Sequence, residues 1–482
     1  MPSSRRITNK KNNKKKVKQR PASIQKKNAP EPTVNELLEA ASAATESLDI
    51  DRAYQIFSCA ATILQRKENN TNNKQQEGRA DLIHALEKMG ELQVSIGDQD
   101  LAKQHFLQSL KLLEEGRKNE QQQGENNSKN ISFYETHSNL CFYVGQLSLE
   151  KEALEAYQRG IRSLEECIQL VANGEESDGM QDDTDTQKQE GPSSSSVIHE
   201  LMKQKLSSAY CNLAELYLTD LCEEETAESD CEQYLEKALQ LKASDGEPPV
   251  DALQTMASLR LSQQDRQLEA VSFILRSYEK QRVGSEALAT LVGLHHGGTK
   301  DDDNNKMKEE EEEGQSRELL EVEAANNLPE FEFRCNTAKL LLECAGLLKD
   351  SRKKTSSTTS GTNQEEDECI TAAICVLGSL LAQNDEVVEI WFLTGCAFAG
   401  KIPPLVDEAK FYLERAKEML TDIQKALKEE SQYVCDSERQ DLEEQLEMNA
   451  DQMQDVQSKL DELPAELEEV DTTNDKLMME EG

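Results

Sequence analysis

The sequence predicts an all-α fold, a right-handed superhelix of about seven stacked helix pairs, and three observations carry that prediction. One spacing of small, aliphatic and aromatic residues recurs along the chain. Aromatic residues are only 4% and prolines only 11 of 482, which suits long helices and disfavours a sandwich or barrel. Hydrophobic residues, at 36%, are thin for one large globular core but sufficient for the narrow continuous core of a repeat stack.

The units follow in order. Leu37, Ala41 and Ala44 on a first helix precede Ala53, Phe57 and Ala60 on a second. Met89 and Gly90, a turn at Gly97, then Ala102, Phe106 and Ser109 make the next. Leu140, Cys141 and Val144 go with Ala153, Tyr157 and Gly160. Leu213, Ala214 and Tyr217 go with Cys231, Leu235 and Ala238, which arrive five residues late, so Asp220 to Asp230 is expected to be a loop. Leu253, Met256 and Ala257 go with Ala270, Ile274 and Ser277, and a degenerate sixth unit has Ala338, Leu341 and Ala345 with Ala372, Val376 and Ser379. In the seventh, Trp391, Thr394, Gly395 and Phe398 precede Ala409, Leu413 and Ala416. This last set resembles the W-x2-L-G-x2-Y … A-x3-F-x2-A signature of the tetratricopeptide repeat, with the only tryptophan of the chain at the repeat's tryptophan position. Small residues let paired helices approach and aromatic rings fill the space between them, which is why those residue types recur at that spacing. The implied architecture is a tetratricopeptide α-solenoid, a scaffold whose function lies in what it holds.

Around this region, residues 33–425, the organisation is simpler. Residues 1–30 form a basic arm expected to be disordered, and residues 429–482 an acidic helical tail. Five polar stretches without apolar periodicity, about 66–78, 116–130, 173–196, 299–315 and 350–367, are expected to be disordered loops between helices. Lengthening a surface loop costs only about 0.6 kcal/mol per doubling, so a solenoid tolerates them. The acidic run at 301–313 is either padding or a binding element. In the tail, Leu442, Leu446, Asn449, Met453, Val456, Leu460, Leu463, Leu467 and Val470 alternate at spacings of four and three, interrupted by Pro464. That seam fits a helix capping the last repeat and equally a partner-binding or dimerising helix.

Formal net charge is −39, yet residues 1–30 hold eleven Lys or Arg and no acid, so the remainder carries about −50. Such a body suits a basic partner and repels nucleic acid, whose phosphates need cationic neutralisers. Lys14, Lys15, Lys16 and Lys18 read as a nuclear localisation signal recognised by an importin, with a nucleic-acid-contacting arm as the rival and a solubilising tail as the plain reading. With no secretory segment and no apolar run near eighteen residues, a soluble intracellular protein with no membrane partner is expected, in nucleus and cytoplasm. The twelve cysteines form no C-x2-C pair and read as small, reduced core residues. The six histidines make no metal-spaced set, and no nucleotide-binding or acyl-transfer motif occurs. No catalytic residue, metal or cofactor is therefore expected.

In tetratricopeptide repeats the inner face is lined by the second, fifth, ninth and twelfth places of each first helix. Those places here hold Glu87, Glu91, Glu135, Phe142, Glu215, Asp251, Glu389 and Phe392, with Asp220 close by. This set is acidic with apolar anchors, contains no Lys or Arg, and complements a basic extended segment.

Four strings, AYCNLAELYLTDLC from Ala209, ALQTMASLRLSQQ from Ala252, LPEFEFRCNTAKLLL from Leu328 and DEVVEIWFLTG from Asp385, are similar to the dedicated assembly chaperones of large-subunit ribosomal protein four. The resemblance covers about residues 200–425 and, more loosely, 34–64. It implies capture of newly made ribosomal protein four, shielding of its long basic loop in the concave surface, and escort into the nucleus to pre-60S particles. The loops here are longer and richer in Asn and Gln than in that family. An acidic tetratricopeptide histone chaperone is the alternative.

Overall fold

The computed structural model describes residues 32–70, 78–122, 131–178, 194–242, 246–294, 322–355, 360–431 and 439–464. Every element in them is helical. The chain divides into two compact units, residues 1–123 and 124–482.

The first unit holds α1 (Val34–Glu46), α2 (Ile50–Asn70), α3 (Arg79–Ser95) and α4 (Gln99–Gln122). Thr33 starts α1 through a capping box: its hydroxyl accepts the Glu36 N–H, and the Glu36 carboxylate accepts the Thr33 N–H at 2.8 Å. The pairs α1/α2 and α3/α4 pack together, and α2 also packs on α3. The small and aromatic residues of the repeat pattern meet in the core, where Ala41, Ala53, Ala60, Ala102 and Phe106 are fully buried and Phe57 is nearly so. Gly90 shows why glycine stands in the pattern: a Cβ there would meet the Phe106 ring at 2.7 Å.

The second unit continues with α5 (Ile131–Gln146) and α6 (Glu150–Asp178), α7 (Ser194–Leu218) and α8 (Ala227–Gln240), α9 (Val250–Ser262) and α10 (Glu269–Leu291), α11 (Phe331–Thr355) and α12 (Ser360–Gln383), and α13 (Val388–Gly400) and α14 (Val406–Glu430), followed by α15 (Arg439–Glu462). Each pair packs internally and against its neighbour, and the first helices also touch in series: α7 on α9, α9 on α11, α11 on α13. That series produces a shared face made of first-helix residues. The late second helix of the fourth pair is reached by a turn at 219–226, which overlaps the expected loop at 220–230 but ends earlier, because Ala227 already begins α8.

The expected loop boundaries need correction. Helix persists through 66–70, 116–122, 173–178, 350–355 and 360–367, all assigned to loops from their lack of apolar periodicity. A helix already nucleated on a packed pair gains one hydrogen bond per added residue, so it extends without needing an apolar face, and the extensions at 350–355 and 360–367 are joined by an ion pair of Arg352 with the buried Glu366 at 3.3 Å. The parts of the loops at 71–77, 123–130, 179–193, 299–315 and 356–359 lie outside the described residues, as do Lys14, Lys15, Lys16 and Lys18 and everything after 464.

The described part of the heptad seam folds back on its own chain. Leu442, Asn449 and Val456 of α15 are buried, and Met453, Val456, Leu460 and Leu463 pack with Leu413, Ala416 and Leu420 of α14. Asn449 donates its side-chain N–H to the Leu420 carbonyl at 3.1 Å, tying the two helices in register. The capping reading of this helix therefore describes its contacts. No helix among the described residues is long and apolar enough to cross a membrane, and no group of His, Cys, Asp and Glu among them could hold a metal ion.

Candidate functional site

The face shared by α7, α9 and α11 contains an open pocket of about 570 Å³. Glu215 comes from α7, Asp251 from α9, and Glu330 from the residue before α11. Amide- and hydroxyl-bearing residues line most of the rest, with Cys211, Val250, Pro329 and Phe333, and no Lys or Arg lines it. The Ser208 hydroxyl donates to Asp251 Oδ2 at 2.9 Å, fixing that carboxylate at the pocket edge.

The electrostatics follow from crowding. Glu215 is exposed as a residue, but the protein around its carboxyl pushes its pKa up, first by removing water and then through the negative charge of Asp251, with a hydrogen bond from Thr255 opposing the shift. Beneath it the Cys211 thiol is pushed up as well, by burial first and then by Asp251 and Glu215. A thiol held protonated in a negative field is a poor nucleophile, so this cysteine packs rather than reacts. A cation entering the pocket would relieve the repulsion between Glu215 and Asp251.

The remaining inner-face residues are in other states. Glu87 and Glu91 belong to the first unit, where Glu91 pairs with Lys88 at 2.6 Å and Glu87 is pushed up by burial and then by Glu91. Glu135 pairs with Lys205 at 2.9 Å and Glu389 with Lys339 at 2.7 Å. These lysines correct the expectation of a face without cations: Lys205 and Lys339 reach in from the next or preceding first helix, at places the lining rule does not count. The Phe142 ring lies half-buried against Tyr157 and over Gly160, whose Cβ would meet it at 2.4 Å. Phe392 is half-buried against the cluster of Leu413, Ala416, Leu420 and Val456. Asp220 lies exposed in the turn after α7, outside the pocket lining. Of the nine expected residues, Glu215 and Asp251 alone come together in the pocket.

Sequence reasoning missed Ser208, Gln254, Glu330 and Phe333. Glu330 and Phe333 stand in the degenerate sixth unit, whose weak register gave no lining positions. Their signal was the acidic-aromatic string Leu328–Phe333 at the start of a helix.

No family model matches the chain. By sequence it is 29% identical over 222 residues to the probable assembly chaperone of rpl4 from Schizosaccharomyces pombe, a stretch of 46% of this chain and 51% of that protein. The two are homologous over that stretch, and the chain spans about half the length of this curated relative. Among solved structures, the assembly chaperone of RpL4 (Acl4), residues 1–338, aligns with a TM-score of 0.45 and 22% identity over 76% of this chain and 95% of that one. The S. pombe nuclear import adaptor Nro1 aligns with a TM-score of 0.40 and 11% identity over 73% of this chain and 95% of that one.

Proposed function

We propose that this protein is a non-enzymatic assembly chaperone that captures newly made ribosomal protein four of the large subunit. It holds a basic, extended segment of that client against the first-helix face of its second unit and releases it to pre-60S particles. The observation that carries the reading is the pocket on α7, α9 and α11, with three carboxylates in its wall and no Lys or Arg. Homology to a probable rpl4 assembly chaperone supports the choice of client.

Physically, the pocket acts before and after encounter. A body of about −50 attracts a Lys- and Arg-rich chain and raises its association rate, an effect that salt screens over about 8 Å at physiological ionic strength. Once docked, the client's cations pair with these carboxylates, of which Glu215 is pushed up by burial first and then by the negative charge of Asp251. The shielded segment is then kept from the nucleic acids and other polyanions that a free ribosomal protein would bind.

Escort into the nucleus, through an importin bound to Lys14, Lys15, Lys16 and Lys18, belongs to the same proposal. Titrating the full chain with ribosomal protein four and with core histones at matched salt tests the reading. Tight binding to the ribosomal protein, with histones at least about tenfold weaker, is the expected outcome. The reverse order would assign the protein to the histones.

A further inference from the structure

We infer that the first turns of α7 form an apolar shelf continuous with the acidic pocket, and that the bound segment of the client sets one large aliphatic side chain on it. The inference rests on the reading that a basic segment binds this face, and adds a second requirement: an apolar residue at a set distance from the cations.

Helix geometry places the shelf. At about 3.6 residues per turn, Gln204, Ser208, Asn212 and Glu215, which α7 gives to the pocket, fall within about 80° of one another around the helix axis. Val197 and Leu201 project into the middle of the same sector. One face of α7 is therefore aliphatic at its start and polar to acidic from Gln204 onward. Val197 is 54% exposed and Leu201 46%, with Ile198 exposed beside them. Their exposure has a cause in the neighbouring helix. Asp251, in the first turn of α9, accepts from Ser208 at 2.9 Å, and Thr255, one turn later, bonds to Glu215, so the two helices run the same way and α7 projects past the start of α9.

What the shelf offers a ligand is area and not charge. Lys205 beside it is held by Glu135 at 2.9 Å, and Lys203 by Glu200 at 3.8 Å. A wholly apolar partner would leave Glu215 and Asp251 facing it without counter-charges. A second copy of this chain would bring its own body of about −50 against the same carboxylates. A chain both basic and apolar satisfies the two halves of the face together. The helix rises about 10 Å from Leu201 to Ser208 and about 21 Å to Glu215. An extended segment covers that span in about three to six residues, which sets the separation between the aliphatic residue and the cations.

The test uses the full chain and synthetic peptides of equal length and equal charge in a glycine-serine background. One has no apolar residue, one has a single leucine about five positions from its cationic cluster, and one has that leucine about twelve positions away. Titration calorimetry is expected to rank the near-leucine peptide about fivefold to tenfold above the other two, the gain from half-covering one aliphatic side chain. That ratio should persist as salt rises and all three affinities fall, because salt screens the charge pairs and not the apolar contact. Val197→Gln with Leu201→Gln, checked for helicity by circular dichroism, should bring the three peptides to within about twofold. Leu201→Met, which keeps the apolar area, should retain the ranking. Should the double variant lose helicity, the near-against-far ranking on the unmodified chain decides. No leucine advantage, an equal advantage at both spacings, or one that survives in a folded double variant would overturn the shelf while leaving the basic-segment reading in place. A dimer seen by sedimentation and abolished by the double variant would give the shelf to a second copy and overturn the inference likewise. No binding of any of the peptides would remove the basic-segment reading itself, and the shelf with it.

Discussion

Two stretches of the second unit follow the same helix-pair plan and present their acidic residues in opposite states. Across α7, α9 and α11, Glu215 and Asp251 share an open pocket that no Lys or Arg lines. Across α11, α13 and α15, Glu389 is bound to Lys339 at 2.7 Å, and the neighbouring Phe392 lies against the packed face of α14. Both carboxylates stand at inner-face places of a first helix. What differs is the facing neighbour: a serine hydroxyl meets Asp251, whereas an ammonium meets Glu389. A repeat position fixes where a charge points, and the adjacent repeat decides whether that charge is available to a partner.

The largest way to test this contrast is to reverse the charges. Glu215→Lys together with Asp251→Lys should weaken binding of a basic client segment by about 30-fold to 1,000-fold, since like charge at a docked ion pair costs about 2–4 kcal/mol. Glu389→Lys should cost less than about fivefold, because an exposed pair is worth only about 0–1 kcal/mol. Calorimetric affinities with unchanged circular dichroism check both. Equal losses in the two variants would erase the distinction between the stretches.

Packing gives the second test. Trp391 lies between α13 and α14, 5.5 Å from the Tyr412 ring centroid, with its indole N–H donating to the Asp385 carbonyl at 2.8 Å. Trp391→Ala should cost about 3 kcal/mol, read from the denaturant midpoint. Hydrogen exchange should quicken in α13, α14 and α15, where Trp391 contacts the clusters, before it quickens in α7 and α9. Simultaneous loss of protection in both stretches would make them one cooperative block rather than neighbours with separable stability.

A smaller effect should be seen in pH dependence. The folded-state pKa of Glu215 lies above its ordinary value, so this group favours the folded chain most when protonated, and its contribution is lost as pH rises through the raised value. A bound cation reverses the preference. Affinity for a basic peptide should therefore fall several-fold as pH drops through the range just above the usual glutamate pKa, with proton release on binding detected in buffers of different ionisation enthalpy. Glu389 resides beside Lys339, so Glu389→Gln should leave that pH profile in place, whereas Glu215→Gln should flatten it. A profile unchanged by Glu215→Gln would place the titrating group elsewhere.

Much of the fold was legible because each repeat writes its packing into a few residues. The alanines, Phe57, Phe106 and Leu413 occupy the core that their spacing implied. Helix ends were less legible, because terminal turns such as 116–122 are held by backbone bonds and need no apolar pattern. The site was half legible. Glu215 and Asp251 followed from the lining rule, but the lysines opposite Glu135 and Glu389 come from adjoining helices. A rule applied within one repeat cannot see across to the next. Gln254 was invisible for another reason: its meaning lies in a bond to the Phe333 carbonyl, 79 residues away.

The smallest expected effect separates the two stretches by one methyl group. Gly395 of α13 sits where a Cβ would meet Leu413 Cγ at 2.6 Å and the Ala409 carbonyl oxygen at 3.1 Å. Leu413 is 1% exposed and held on every side, so it cannot yield cheaply, and Gly395→Ala should destabilise by about 1–3 kcal/mol through overpacking. Gly346 lies inside α11 with nothing within 4 Å of its added Cβ. There the only change is backbone freedom, which glycine has in excess in the unfolded chain, so Gly346→Ala should stabilise by about 0.5–1 kcal/mol. Chemical denaturation of the two single variants gives the signs directly. If both destabilise, α11 is as tightly closed as α13, and the openness assigned to the stretch that carries the pocket does not extend along the helix that bounds it.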